Sequence, residues 1–210
     1  MALNQMAFER PESLMMARGY QFGRLQHGPD GDYHSPDGGY NGGIIAPERI
    51  LIPATATLVR FGGSAWRGGG SFVGKVAAGE WWLDWRNFKL VEQYASTIGE
   101  SVAFAVRQTC AVPEEWSDLS LFIQGTSRSP LWAYTGLGDV AHSSSGTIDP
   151  VGKGKPMIRQ LFIPGLADPD LRKEAIVFGN PTFLDPEMSK PGALARAREE
   201  ERLRRALGGK

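Results

Sequence analysis

The sequence contains a single cysteine and three histidines among its 210 residues. Cys110 lies within an apolar stretch and has no second cysteine with which to form an internal disulfide. His27, His34 and His142 are scattered along the chain rather than grouped with metal-ligand spacing. The sequence therefore excludes a disulfide-stapled scaffold and a Cys/His zinc site, and we predict no metal centre.

Net charge and long apolar runs are also lacking. Lysine plus arginine equals aspartate plus glutamate at 23 each, so bulk charge does not favour nucleic acid or anionic lipid. No apolar run approaches the roughly 20 residues that span a bilayer, and the first residues lack the apolar core of a secretory signal. We therefore expect a soluble cytoplasmic protein that does not act at a membrane.

Three kinds of sequence follow one another along the chain. Residues 1–43 are predicted to be an irregular leader, because turn-forming Gly, Pro and Asp recur every two or three positions in residues 19–43. Residues 186–210 are rich in Ala, Leu, Arg and Glu, which predicts a charged helix. Residues 44–185 are predicted to form a single globular domain.

Within that domain, short apolar segments bounded by Gly, Pro or Asp predict strands. These segments are residues 54–62, 79–85, 117–125, 131–137, 157–165 and 173–179. Apolar residues recur at helical spacing from Phe88 to Ile98, which places a helix between the early strands, whereas residues 102–106 fit a helix or a strand. The pattern favours an α+β fold with a mixed or mostly antiparallel sheet.

Common catalytic motifs are missing from the sequence. There is no phosphate-binding P-loop, His-Glu-x-x-His pair, Gly-x-Ser-x-Gly elbow or Cys-x-x-Cys pair. The glycine-rich stretch at 62–74, GGSAWRGGGSFVG, lacks the dinucleotide fingerprint and is interpreted as a loop or hairpin. The tryptophans of 79–85 adjoin acidic residues, which is more typical of a core than of a surface for stacking nucleic-acid bases.

Polar residues at the ends of predicted strands indicate a candidate functional site. Arg60 closes the first predicted strand, the hydroxyl-rich run 125–129 ends another, and Glu174 opens the last. This order, together with LFIPGLADPDLRKEAIVFGNPTF at 161–183, resembles ADP-ribosyltransferases of the Arg-Ser-Glu type over residues 54–183. The resemblance implies a sheet of that family's type, NAD as the substrate and an unknown macromolecular acceptor of ADP-ribose.

The resemblance also implies roles for individual residues. The carboxylate of Glu174 would face the ribose as positive charge develops on it. Arg60 would hold the pyrophosphate or adjoining ribose with its planar donor fork. A hydroxyl of Ser127 or Thr126 would orient the glutamate. The aromatic residues that could stack against nicotinamide are Trp82, Trp132 and Tyr134.

The sequence departs from the family pattern at two places. The family's Ser-Thr-Ser run is Gly125-Thr126-Ser127 here, so the first serine is a glycine. Its Glu-x-Glu is Arg172-Lys173-Glu174, which removes the acid that engages an arginine acceptor. We therefore expect an acceptor other than arginine, in a toxin or effector that could have an immunity or carrier protein as its partner.

Two alternatives remain open. Tyr94-Ala95-Ser96-Thr97 together with Glu100 could form a site of the related Arg-Tyr-Glu type, which would make the protein an NAD glycohydrolase. The chain could instead be a non-enzymatic binding or structural module, for example a phage or secretion-associated component. The enzyme requires Arg60, Ser127 and Glu174 to meet in one cleft, whereas the binding module allows them to diverge.

Overall fold

The structure is a computed structural model that describes residues 2–20, 40–63 and 72–208. The helices of these ranges are α1 (Gln5–Phe8), α2 (Pro11–Ala17), α3 (Phe72–Ala77), α4 (Trp85–Ile98), α5 (Val102–Thr109), α6 (Pro169–Ala175) and α7 (Ala193–Gly208), with a 3-10 helix at Pro186–Ser189. The strands are β1 (Glu48–Ile52), β2 (Thr57–Gly62), β3 (Trp81–Asp84), β4 (Leu121–Ser127), β5 (Leu131–Leu137), β6 (Ala141–Ser143), β7 (Gly146–Ile148), β8 (Arg159–Phe162), β9 (Ile176–Phe178) and β10 (Thr182–Phe183). The prediction of an α+β fold is confirmed.

One sheet organises the molecule. Its strands follow the order β1-β5-β8-β3-β2-β4-β10, and β9 also pairs with β4, while β6 and β7 form a separate hairpin. The strand pairs of the described ranges are antiparallel. Strand β2 therefore lies inside the sheet, with β3 on one side and β4 on the other, and this places Arg60 near the middle of the fold.

Both faces of the sheet are covered. Alternate residues of a strand point to opposite faces, so Leu58 and Ile123 contribute to one buried cluster, while Val59 contributes to another beneath α4 and α5. Burial on both faces explains why Leu58 and Val59, which point to opposite faces of β2, are both apolar.

Local capping signals fix the two helices on that second face. The carboxylate of Asp84 accepts a hydrogen bond from the backbone N–H of Asn87 and starts α4, and Gly99 ends it with a φ of 69°. The hydroxyl of Ser101 accepts from the N–H of Phe104 and starts α5. Residues 102–106, which fitted either structure in the sequence, are therefore helical.

The first residues of the chain are more ordered than predicted. Phe8 and Ala17 of the two N-terminal helices are buried against the sheet. Asn4 is also buried; its amide donates to the backbone carbonyls of Trp132 at 2.8 Å and Pro164 at 3.0 Å. The expectation of an irregular leader is therefore wrong for residues 5–17, because tertiary packing of Phe8 supplies stability that local composition does not reveal. Most of the Gly/Pro-rich part, 21–39, lies outside the described residues, and the domain boundaries at 43 and 185 stay predictions.

The predicted strand at 173–179 begins later than expected. Asp168 caps α6 by accepting from the N–H of Asp170 at 2.8 Å, and Pro169 occupies the first helical turn. Glu174 consequently lies in the last turn of a helix, and β9 begins only at Ile176. The Asp-Pro start signal outweighed the apolar pattern that follows it.

The C-terminal segment is tied to α5. The predicted helix is present as α7, and the 3-10 helix precedes it. The hydroxyl of Ser101 donates to the carbonyl of Met188, the guanidinium of Arg107 donates to the hydroxyl of Ser189 at 3.1 Å, and Glu100 accepts from the N–H of Gly192 at 2.8 Å. These bonds hold the start of the segment while α7 stays largely exposed. Among the described residues, none of the helices combines the length and apolar character needed to cross a bilayer.

Candidate functional site

Arg60 is held firmly at the middle of the sheet. Its Nε donates to the carbonyl oxygen of Val76 at 2.6 Å, and its Nη1 donates to the carbonyl of Trp81. Gly79 packs directly on the guanidinium, since a Cβ at that position would lie 1.7 Å from Nη2. The side chain is therefore immobilised between the end of α3 and the start of β3.

Glu80 lies in the chain between Gly79 and Trp81, which both contact this arginine, and is half-buried. Its Oε1 accepts a hydrogen bond from the N–H of Gly165 at 2.6 Å. Burial raises the pKa of Glu80 above its usual 4.5, while the Gly165 bond and the positive charge of Arg60 act in the opposite direction. A half-buried arginine side chain and a carboxyl group with a raised pKa therefore lie in the same region of the sheet, a combination that is typical of candidate functional sites.

Sequence reasoning missed Glu80 as a site residue. Its neighbours in the chain are tryptophans, which suggested a core strand with a flanking charge. The signal that bears on it is the pairing of β2 with β3, where Leu58 pairs with Asp84 and Val59 with Leu83, because Glu80 directly precedes β3. That register cannot be read from either segment alone.

Ser127 has a structural role at the end of β4. It is 1% exposed, and its hydroxyl donates to the carbonyl of Pro53 at 2.8 Å and accepts from the N–H of Ala56 at 3.0 Å. These bonds close the turn before β2. The neighbouring Thr126 is exposed and pairs with Thr57, three residues from Arg60, which is about 10 Å along the strand.

Glu174 does not meet these residues. It is exposed on α6, and within the described ranges no hydrogen bond or ion pair engages its carboxylate. Arg60 instead contacts backbone at Val76 and Trp81, and the hydroxyl of Ser127 is directed to Pro53. The structure thus brings Arg60 next to Glu80 and leaves the predicted hydroxyl and carboxylate apart from it.

The three candidate aromatic residues divide into two places. Trp82 is 2% exposed and donates its indole N–H to the carbonyl of Gly79 at 2.8 Å, directly beneath the Arg60 region. The rings of Trp132 and Tyr134 stack on Phe8, at centroid distances of 5.5 and 4.5 Å. These two residues therefore support α1, and their contact with nicotinamide stays a prediction.

The alternative site around Tyr94 also contributes to packing. Tyr94 packs against the apolar cluster beneath α4 and α5. One carboxylate oxygen of Glu100 binds the N–H of Gly192, and the other is buried without a partner among the described residues. Glu100 accordingly anchors the C-terminal segment.

Other site types are not prominent in the described part of the chain. It contains no group of three or more His, Cys, Asp or Glu side chains placed to hold a metal ion. A cavity of about 270 Å³ lies between α5 and the β6–β7 hairpin, lined by Phe104, Arg107, Glu114 and Thr147 among others. That volume is below the usual range for ligand pockets, and these lining residues do not include Arg60 or Glu80.

No protein-family model matches the chain, and no curated protein matches it. Among solved structures, the chain is similar to one from "Rhs1-CT in complex with cognate immunity protein RhsI1", with 13% identity, a TM-score of 0.39, and coverage of 67% of this chain and 83% of that chain. At that TM-score the likeness carries no argument about function.

Proposed function

We propose that this chain is an NAD-consuming enzyme that transfers ADP-ribose to a macromolecular acceptor other than arginine. Arg60, Ser127 and Glu174 do not meet in one cleft, so the proposal rests instead on the immobilised guanidinium of Arg60 on β2 and on the half-buried carboxyl of Glu80. Glu80 lies in the chain between Gly79 and Trp81, which both contact that guanidinium. A role as a toxin or effector in the cytoplasm of a target cell, with an immunity or carrier protein as partner, belongs to the same proposal.

The chemistry of NAD explains why such a pair would be useful. Cleavage of the bond between nicotinamide and ribose leaves the electron pair on nicotinamide and positive charge on the ribose. A carboxylate fixed near the ribose stabilises that charge. The permanent positive charge of an arginine attracts the pyrophosphate, and an arginine that is already ordered loses little side-chain entropy on binding.

Replacing Arg60 by glutamine is expected to lower kcat/KM for nicotinamide release by about a hundredfold, because the phosphate-binding charge is lost. The measurement is release of free nicotinamide from NAD by purified protein, with candidate acceptor proteins present. Arg86→Gln is the matched control, since Arg86 is exposed on α4. Thermal unfolding shows whether each variant is folded. Failure of the wild-type protein to release nicotinamide would contradict the proposal.

Gly79→Ala tests the position of the arginine without removing it. The added methyl group would lie 1.7 Å from Nη2 of Arg60, so the guanidinium must move. We expect at least a tenfold loss of nicotinamide release, because small displacements of binding groups are costly in catalysis. Gly152→Ala is the control, since a Cβ there meets its nearest neighbour at 3.4 Å. Equal activity of the two variants would show that the position of the guanidinium does not matter.

A non-enzymatic binding or structural module is the second candidate. Its specific support is that the hydroxyl of Ser127 is engaged by backbone and that Glu174 is exposed, so the three residues of the resemblance diverge. Under this alternative, wild type and Arg60→Gln would both fail to release nicotinamide. The NAD assay therefore separates the two candidates.

A further inference from the structure

We infer that Glu80, rather than Glu174, is the carboxylate that faces the ribose of NAD, an inference that rests on the proposed function. Glu80 lies in the chain between Gly79 and Trp81, which both contact the guanidinium of Arg60, whereas Glu174 lies exposed on α6. The acidic residue in the region of Arg60 is therefore Glu80 and not Glu174, which the sequence suggested.

The position of Glu80 is fixed by its main chain and its side chain. Its carbonyl oxygen accepts from the N–H of Ile163 at 2.8 Å, and its Oε1 accepts from the N–H of Gly165 at 2.6 Å. Both donors belong to the segment that follows β8. Within the described ranges, the second carboxylate oxygen accepts no hydrogen bond, so its lone pairs are available to a ligand. This preorganisation is what a charge-stabilising group requires.

The surroundings of Glu80 suit the reaction. As nicotinamide leaves with the bonding electron pair, the ribose becomes cationic and the ionised carboxylate stabilises it. The acceptor X–H then forms a bond to the ribose carbon, and its proton passes to Glu80 and on to water. Partial burial strengthens the attraction between carboxylate and cation, whereas water would weaken the same attraction at the exposed Glu174.

The acidity of Glu80 gives the inference a pH signature. Burial raises its pKa above 4.5, and Arg60 is the described charged group that acts on it. The ionised form is required, so kcat should be low below the raised pKa and should increase as the pH passes through it. This low-pH part of the profile is its acidic limb, and replacing the carboxyl group should abolish it.

The experiment compares wild type, Glu80→Gln and Glu174→Gln by nicotinamide release from NAD across pH. Glutamine keeps an oxygen that can accept from Gly165, so the fold should be retained. We expect Glu80→Gln to lower kcat about a hundredfold and to lose the acidic limb. Its dissociation constant for NAD, measured by calorimetry, should stay within about twofold, since the carboxylate acts mainly in the transition state. Glu174→Gln should behave as wild type.

The outcomes separate the inference from the proposed function. Wild-type release of nicotinamide with an unchanged Glu80→Gln would overturn the inference and leave the function standing. Loss of activity in Glu174→Gln alone would assign the role to Glu174. Absence of release by wild type would remove both. If Glu80→Gln unfolds, the pH dependence of the wild-type kcat tests the inference instead. A wild-type kcat that shows no increase with pH above 4.5 overturns the inference.

Discussion

Replacing Arg107 by methionine is expected to lower the free energy of unfolding by about 3–5 kcal/mol, since one buried and two half-buried acceptors lose their partner at about 1–3 kcal/mol each. Arg107 is 4% exposed in the last turn of α5. Its guanidinium donates to the carbonyls of Val112 at 2.7 Å and Ser117 at 2.9 Å and to the hydroxyl of Ser189 at 3.1 Å. Methionine fills part of the volume but satisfies none of these acceptors.

Urea unfolding monitored by circular dichroism measures the change. Arg86→Met is the control, because Arg86 is exposed on α4 and its loss should cost under about 0.5 kcal/mol. Ser189→Ala removes one of the three bonds and should cost about 1 kcal/mol. A free energy of unfolding for Arg107→Met within about 1 kcal/mol of wild type would show that the three bonds do not act as described.

Gly43→Ala is expected to cost about 2–5 kcal/mol, combining roughly 1–2 from an unfavourable backbone conformation with roughly 1–3 from overpacking. The φ of Gly43 is +93°, and a Cβ there would lie 2.3 Å from the backbone nitrogen of Gly19 and 2.4 Å from the carbonyl carbon of Arg18. These atoms belong to backbone and cannot rotate away. The chain entering the sheet crosses the end of α2 at this point, so the substitution should loosen the N-terminal helices.

Gly154→Ala separates the two contributions. Gly154 has a similar φ of +85°, but a Cβ there meets no atom within 4 Å. It should therefore show only the conformational cost of about 1–2 kcal/mol. Urea unfolding gives both values, and amide hydrogen exchange of α2 reports whether it detaches. If the two variants are equally stable, the crossing has room for a side chain.

Local sequence patterns predicted the strands of the sheet better than the N-terminal helices that pack on it. Strands β2, β3 and β5 lie where apolar runs bounded by Gly, Pro or Asp placed them. Such runs report burial of a short segment, and that information is local. The two N-terminal helices were missed because α1 has only four residues and is stabilised by the packing of Phe8 on distant rings.

The candidate site depended more heavily on tertiary structure. Arg60 was identified from its place at the end of an apolar run, and the structure puts it on the inner strand β2. Glu80 could not be recognised, because its raised pKa depends on burial in the folded protein and its carboxylate is held by the distant N–H of Gly165. Glu174 shows the opposite error. The apolar pattern predicted that it begins a strand, but the helix start signal at Asp168 places it in α6.

The bonds of Asn4 have a consequence for the order of assembly. Asn4 is synthesised before its partners, because its amide donates to the backbone of residues 128 and 160 positions further along the chain. Contacts of such sequence separation slow folding, because a long loop must close before they form. During translation α1 therefore cannot dock on the sheet until β5 and the segment after β8 have been synthesised, and we expect this docking to be a late step of folding.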